Sequence, residues 1–237
     1  MPKKRHSASK YLPRGLEILY EDKDILVVDK PSGLLTVGTA NNKTRTAYYV
    51  LTDYVRKGYS KSRNRIFIVH RLDQYTSGVL VFAKNEEAKF RLQSQWKDTE
   101  KIYIAVVYGQ LAKKDGVISS YLAENKAYVV YSTKDTTKGK LAHTAYKVLK
   151  ESRQFSLLEI NLLTGRKNQI RVHMADKGHP VAGDRKYGKA RDCVRRLALH
   201  SKSISFKHPV SGEQMAFETK VPNYFNELID NCRDRPY

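Results

Sequence analysis

Val69-His70-Arg71-Leu72-Asp73-Gln74-Tyr75-Thr76-Ser77-Gly78-Val79-Leu80-Val81-Phe82-Ala83-Lys84 is the stretch on which the reading of this chain turns. Apolar runs at Ile66 to Val69 and Val79 to Ala83 flank a polar loop that holds one carboxylate, Asp73, beside one arginine, Arg71. Short apolar runs bounded by turn-forming residues predict buried strands, so two strands present Asp73 between them. A loop carboxylate can be a nucleophile, a general base or a plain turn residue. The loop's own residues leave all three open.

Working outward, strand and helix signals follow one another without a linker, a repeat or a low-complexity segment. Glu17 to Tyr20 and Ile25 to Asp29 predict two strands around the turn Glu21-Asp22-Lys23-Asp24, with Lys30-Pro31-Ser32-Gly33 ending the second. A helix is expected over 47–56. A second begins at an Asn85 cap, with Glu86 and Glu87 in its first turn and Ala88, Leu92 and Trp96 forming its core stripe. Further strands are expected at 101–111, 117–122, 128–132, 141–149 and 155–163, then a helix over 166–177. A glycine-punctuated loop over 178–188 follows, then a hairpin of 197–206 with 214–221, and a closing helix from Asn223. Strand after strand at this spacing argues an α+β fold, a mixed and mainly antiparallel sheet with flanking helices, and not a βαβ series.

The charge balance narrows the partner class. Forty-four Lys and Arg against 24 Asp and Glu give a net +20 over 237 residues, a field that attracts polyanions, with nucleic acid foremost. No apolar run is long enough to span a bilayer, and no membrane partner is expected. Cys193 and Cys232 stand in no ligand spacing and the N-terminus lacks an apolar signal region, which together suggest the cytoplasm. Residues 1–14, with five cations and no acid, read as a mobile basic arm, and residues 15–237 as one domain. The absence of a P-loop, a dinucleotide fingerprint or a histidine-metal motif leaves no cofactor or metal expected. A monomer is expected because no long apolar surface stripe is evident.

A second charged segment, Thr164-Gly165-Arg166-Lys167-Asn168-Gln169-Ile170-Arg171-Val172-His173, is unusual in placing Arg166 and Lys167 at an expected helix N-terminus, where the macrodipole disfavours cations. An anion held by those side chains and the first-turn amides would account for them; a solvated basic helix is the plainer alternative. On such a helix Lys167 and Arg171 would share a face.

Taken together, His-Arg-Leu-Asp-x-x-Thr-Ser-Gly resembles the signature of the RluA-type pseudouridine synthases, in which that Asp is catalytic. Three more segments match in order. Glu21-Asp22-x-Asp24 through Lys30-Pro31-Ser32-Gly33 is similar to the family's first motif. Lys101-x-Tyr103-x-Ala105-x-Val107-x-Gly109 is similar to its tyrosine motif, and Thr164-Gly165-Arg166 through Gly188 to its third. The resemblance implies a pseudouridine synthase fold with a central cleft and isomerisation of a uridine in ribosomal or transfer RNA. It further implies Asp73 as nucleophile, Arg171 as the arginine that pairs with it, Tyr103 as the active-site tyrosine, and Arg71 filling the space of an extruded base. RNA contacts are expected from His70, Lys30, Lys84, Arg166, Lys167 and the basic segment around 185–196. Asn168 departs from the family's usual His, and Thr36-Val37-Gly38-Thr39 lacks its usual Pro, which bears on substrate fit. The short stretch ahead of the first motif points to a catalytic domain without the S4-type RNA-binding domain of many relatives. A non-catalytic RNA-binding or ribosome-associated protein on the same scaffold is the competing function; a hydrolase would need a second carboxylate or a triad that is not evident.

Overall fold

The structure, a computed structural model, describes residues 12–38, 43–57, 59, 61–188 and 194–230. Most of the expected basic arm, residues 1–11, lies outside the described residues, as do Lys189, Arg191 and both cysteines.

In chain order the strands are β1 Glu17–Glu21, β2 Ile25–Lys30, β3 Phe67–Ile68, β4 Ser77–Ala83, β5 Glu100–Tyr108, β6 Asp115–Glu124, β7 Val130–Thr133, β8 Lys140–Glu151, β9 Phe155–Leu162, β10 Leu199–Lys207 and β11 Gln214–Glu218. The helices are α1 Ala47–Arg56, α2 Glu86–Ser94, α3 Gln169–Asp176 and α4 Tyr224–Asp230. The expected α+β class holds. The described residues group into two compact units, those up to 99 with 203–219, and those from 100 to 202 with 220–230. Composition carries no sign of this because no linker separates them: β10 itself contributes residues to both.

In the first unit β2 pairs antiparallel with β1 and with β4, in a register that sets Ile25 opposite Ala83 and Lys30 opposite Gly78. All seven residues of β4 are buried, as its unbroken apolar run predicts. Ile25, Val27, Val79 and Val81 form a core with Ala88 and Leu92 of α2 and Ile204 and Phe206 of β10. Both helices begin at capping residues: Thr46 accepts from the Tyr49 amide and Asn85 from the Ala88 amide. Trp96 lies past the end of α2 in a 3₁₀ turn, yet still packs on this core and against the His70 ring at 4.6 Å.

In the second unit the order β5-β9-β8-β6-β7 is antiparallel throughout, with Tyr103 opposite Ile160. α4 packs on β5 and β9, and α3 on β6, β7 and β8. α3 begins three residues later than its sequence pattern predicts. Asn168 adopts the left-handed conformation, φ 53°, and residues 166–169 form a turn closed by Gln169 N–H donating to the Arg166 carbonyl at 3.2 Å. The Gln169 side chain replaces the missing helical turn, accepting from the Arg166 amide and the Thr164 hydroxyl.

Candidate active site

Asp73 sits half-buried in the loop between β3 and β4, and its neighbours on both sides are tied to the segment that follows β2. Before it, Leu72 is fixed twice by the buried Thr36 hydroxyl, which donates to the Leu72 carbonyl at 2.7 Å and accepts from the Leu72 amide at 3.2 Å. After it, the Gln74 carbonyl accepts from the Gly33 amide at 2.9 Å and from Lys30 Nζ at 3.2 Å, while Ser32 Oγ donates to the Tyr75 carbonyl at 2.8 Å. The Thr76 amide donates to the Asp73 carbonyl at 3.2 Å, closing the turn. The loop is therefore held at five consecutive residues. Fixing a reacting group to within a fraction of an ångström is what such ties achieve.

Lys30 corrects an expectation. It is 0% exposed and directs its ammonium at the carbonyls of Pro31, Leu34 and Gln74, so no phosphate reaches it. Burial pushes its pKa down to about 7, against the opposing pull of Asp73 and Asp29. His70 is likewise committed to the fold: its Nε2 accepts from the Val81 amide at 3.0 Å and its ring stacks on Trp96. Arg71 is exposed beside Asp73. Lys84 lies at the other end of β4, paired with Glu21 at 2.7 Å.

In the second unit Arg171 is the centre of a built arrangement. Its Nε and Nη2 donate to the two oxygens of Asp184, each at 2.7 Å, and its Nη1 donates to Asn168 Oδ1 at 3.2 Å. The guanidinium lies over the Tyr187 ring at 5.1 Å. Burial works to raise the Asp184 carboxyl, but the hydrogen bonds and charge of Arg171 hold it below the usual carboxylate range. The Asp184 loop is tight: Gly183 has φ +75°, and a Cβ there would fall 2.2 Å from the Arg196 carbonyl oxygen. Asn168, the departure from the family pattern, is used fully, since its amide also donates to the Tyr187 hydroxyl at 3.0 Å. Asn tolerates the left-handed backbone this position needs.

The expectation that Lys167 and Arg171 share a helical face is not met, because Lys167 precedes α3. It pairs with Glu124 and lies over the Tyr128 ring at 5.5 Å. Arg166 Nε donates to the Leu141 carbonyl at 3.2 Å. The amides at the helix start are no open anion cradle either, since Gln169 Oε1 occupies that of Arg166. Tyr103, on β5, is 7% exposed.

Residues that the sequence does not single out are those that hold others in place: Thr36, Ser32 and Asp184. Asp184 stands in view within Gly183-Asp184, where a glycine before an acid signals a tight turn, but its partner is set by the fold.

Asp22, Asp24 and His208 are the metal-capable cluster among the described residues, their ligand atoms within 4.8 Å of one another. His208 Nδ1 accepts from the Val210 and Ser211 amides at 3.3 and 3.1 Å, which places the ring proton on Nε2, 3.0 Å from Asp22 Oδ2. The nitrogen that faces the carboxylates is a donor and not a lone pair. The trio is a hydrogen-bonded brace for the β1–β2 turn.

Comparison with known proteins gives a consistent result. The profile of the family described as RNA pseudouridylate synthase matches residues 24–176. The uncharacterized RNA pseudouridine synthase YlyB of Bacillus subtilis is 39% identical over 225 residues, 93% of this chain and 74% of that protein. Ribosomal large subunit pseudouridine synthase D of Nitrosomonas europaea is 36% identical over 235 residues, 94% and 67% of the two. Among solved structures, human RNA pseudouridylate synthase domain containing 4 superposes with a TM-score of 0.73 at 22% identity, covering 88% of this chain and 90% of that one, which bears on the fold alone. Human RNA pseudouridylate synthase domain containing 1 gives 0.70 at 25% identity, covering 96% and 90%.

Proposed function

Because the chain belongs to the RNA pseudouridylate synthase family, and is an isomerase that turns uridine in RNA into pseudouridine, we propose that Asp73 is its nucleophile and that its substrate is large-subunit ribosomal RNA, with transfer RNA the second candidate. The observation that carries the assignment of Asp73 is the way its loop is tied at Leu72, Gln74 and Tyr75 to the β2 exit segment. An ordinary surface turn needs no such fixing. The ribosomal preference is supported by the Nitrosomonas relative's name and by the net charge of +20, which suits a large polyanion.

The reaction breaks the N1–C1′ glycosidic bond, turns the uracil and joins C5 to C1′. The C5 proton departs to solvent and N1 gains one, so no oxidant, reductant or energy source is consumed. In this reading the Asp73 carboxylate attacks the uridine, Arg171 supplies a positive charge held rigid by Asp184, and Tyr103 offers a ring face and a hydroxyl for proton transfer at C5. A paired base must first leave its stack at a cost of a few kcal/mol, and the exposed Arg71 beside Asp73 is suited to fill the gap.

The test is tritium release from RNA labelled at C5 of uridine, with ribosomal and transfer RNA offered separately. Release from ribosomal RNA, abolished in Asp73→Asn, is expected. Full release by that variant would remove Asp73 from the chemistry, and release from transfer RNA alone would reverse the substrate order.

A further inference from the structure

At the end of the first unit's sheet remote from Asp73, a cavity of about 570 Å³ opens between four separate parts of the chain. Lys23 projects from the β1–β2 turn, Lys57 from the end of α1, Arg65 from the segment leading to β3, and Lys84 from the end of β4. The cavity falls within the range of small-molecule sites, about 300–1,000 Å³. β4 is seven residues long, and at ~3.3 Å per residue it separates the Lys84 end from the Asp73 end by about 20 Å. The β2–β4 register agrees, since Ile25 and Ala83 meet at the cavity end and Lys30 and Gly78 at the other.

The lining holds four cations and one carboxylate, Glu21, whose two oxygens are already engaged by Lys84 Nζ at 2.7 Å and the Tyr54 hydroxyl at 2.8 Å. Arg65 pairs with Glu86, but both side chains are more than half exposed, and such pairs contribute little and yield readily to a competing anion. Among the described residues no carboxylate pairs with Lys23 or Lys57, and both are exposed. Folding does not require these two cations. The turn that presents Lys23 is rigid without it: Asp22 Oδ1 takes the Asp24 and Ile25 amides at 2.7 Å each, and His208 secures the other oxygen. A concave, preformed, positively charged site with unneutralised lysines at its rim has the chemistry to hold a phosphate.

We propose that this pocket is a second phosphate-binding site, which seats the backbone of the substrate RNA about 20 Å from the reacting uridine. The inference rests on the RNA-substrate reading above and extends it, because it assigns part of the affinity to a surface the chemistry does not touch. Phosphate interactions of this kind set register and orientation without reading sequence.

The experiment uses the full chain and the double variant Lys23→Ala/Lys57→Ala, with Lys113→Ala/Lys220→Ala as a control that removes equal charge from exposed positions elsewhere. Affinity for a ribosomal RNA fragment is measured by fluorescence anisotropy between 50 and 200 mM KCl, and KM by tritium release. The pocket variant is expected to bind about tenfold more weakly at the lowest salt. The slope of log K against log salt should become shallower by about 0.7–0.9 for each phosphate that the pocket no longer neutralises, and KM should rise with it. The effect should be larger on a long fragment than on a minimal stem-loop. An unchanged slope and KM would overturn the proposal, as would an equal change in the control, which would mean a general field and not a site. Titration of the wild type with inorganic phosphate and uridine monophosphate separates a free-nucleotide site: tight binding of either, abolished in the pocket variant while RNA affinity stays, would also overturn it. If wild-type protein releases no tritium from any RNA, the functional reading fails first and the pocket's RNA role with it. Wild-type release with an unmoved pocket variant sinks the pocket alone.

Discussion

Lys30 Nζ donates to the carbonyl oxygen of Gln74 at 3.2 Å, so the residue next to Asp73 hangs from an ammonium that solvent does not reach. The same nitrogen holds Pro31 and Leu34, which makes one side chain the junction between the end of β2 and the loop that carries Asp73. Lys30→Met keeps most of the volume and removes all three bonds. The Pro31 and Leu34 carbonyls lose this partner at about 1–3 kcal/mol each while Gln74 keeps the Gly33 amide, and relief from burying a charge offsets part of the cost, so a net loss of about 2 kcal/mol is expected in urea unfolding. Turnover should fall further than stability implies, about a hundredfold, because the loop shifts. Turnover within twofold of wild type would show that the loop holds its place without Lys30.

Thr36 gives a cleaner probe, since its hydroxyl is both donor and acceptor for Leu72 in a site only 3% exposed. Thr36→Val preserves shape and deletes both bonds, with an expected cost of about 2 kcal/mol. Thr36→Ser restores them. The valine variant should lose turnover with little change in KM, and the serine variant should recover most of it. If the valine variant keeps its turnover and the serine variant loses it, the methyl group's packing and not the hydroxyl is what matters.

Which features could be foreseen follows from how local their causes are. The start of α1 after Thr46 and of α2 after Asn85 is set by a side chain capping an amide three residues on, which a sequence window contains. The start of α3 depends on Asn168 taking a positive φ and on Gln169 bonding back to Thr164 and Arg166, a choice that pattern alone does not encode. Lys30 reads as an RNA contact in the sequence because lysines are seldom buried. Its burial rests on carbonyls brought in from Gln74, 44 positions away. Asp73 is singled out by its loop and by resemblance; Asp184 is marked only as part of a glycine-led turn, and the fold alone shows that it holds Arg171.

Asp184 and Arg171 form a bidentate pair with side chains 0% and 13% exposed. Asp184→Asn keeps the size and one acceptor but removes the carboxylate charge that grips the guanidinium through two bonds. Breaking one side of a buried pair costs about 3–5 kcal/mol, and a fall of that order is expected in unfolding free energy. Arg171→Lys should not rescue function, because an ammonium does not reproduce the planar two-oxygen fork or the stacking on Tyr187. Steady-state tritium release by both variants checks this. Near wild-type turnover in Arg171→Lys would show that a point charge suffices.

Acid should weaken the second unit through two buried histidines. His173 is 0% exposed and bonds through Nδ1 to Thr144 and through Nε2 to Ser120, at 2.9 and 3.0 Å; burial pushes its pKa down to about 4. Burial does the same to His200, with the charge of Arg196 adding to it. Between the ordinary value of 6.5 and about 4, the unfolded chain binds protons that the folded one does not, so stability present above pH 6.5 is lost as pH falls towards 4. At pH 5 the loss is on the order of 2 kcal/mol per histidine. Asp29 acts in the opposite direction in the first unit, its carboxyl raised to about 6 by burial and by Glu17, so wild type must be compared with His173→Gln and not with itself alone. Urea unfolding at pH 7 and pH 5 should show the glutamine variant, though less stable at pH 7, losing about 2 kcal/mol less on acidification. An identical loss in the two proteins would mean that His173 is protonated in the folded state at no cost, and that its bonds to Thr144 and Ser120 rearrange to accept the charge.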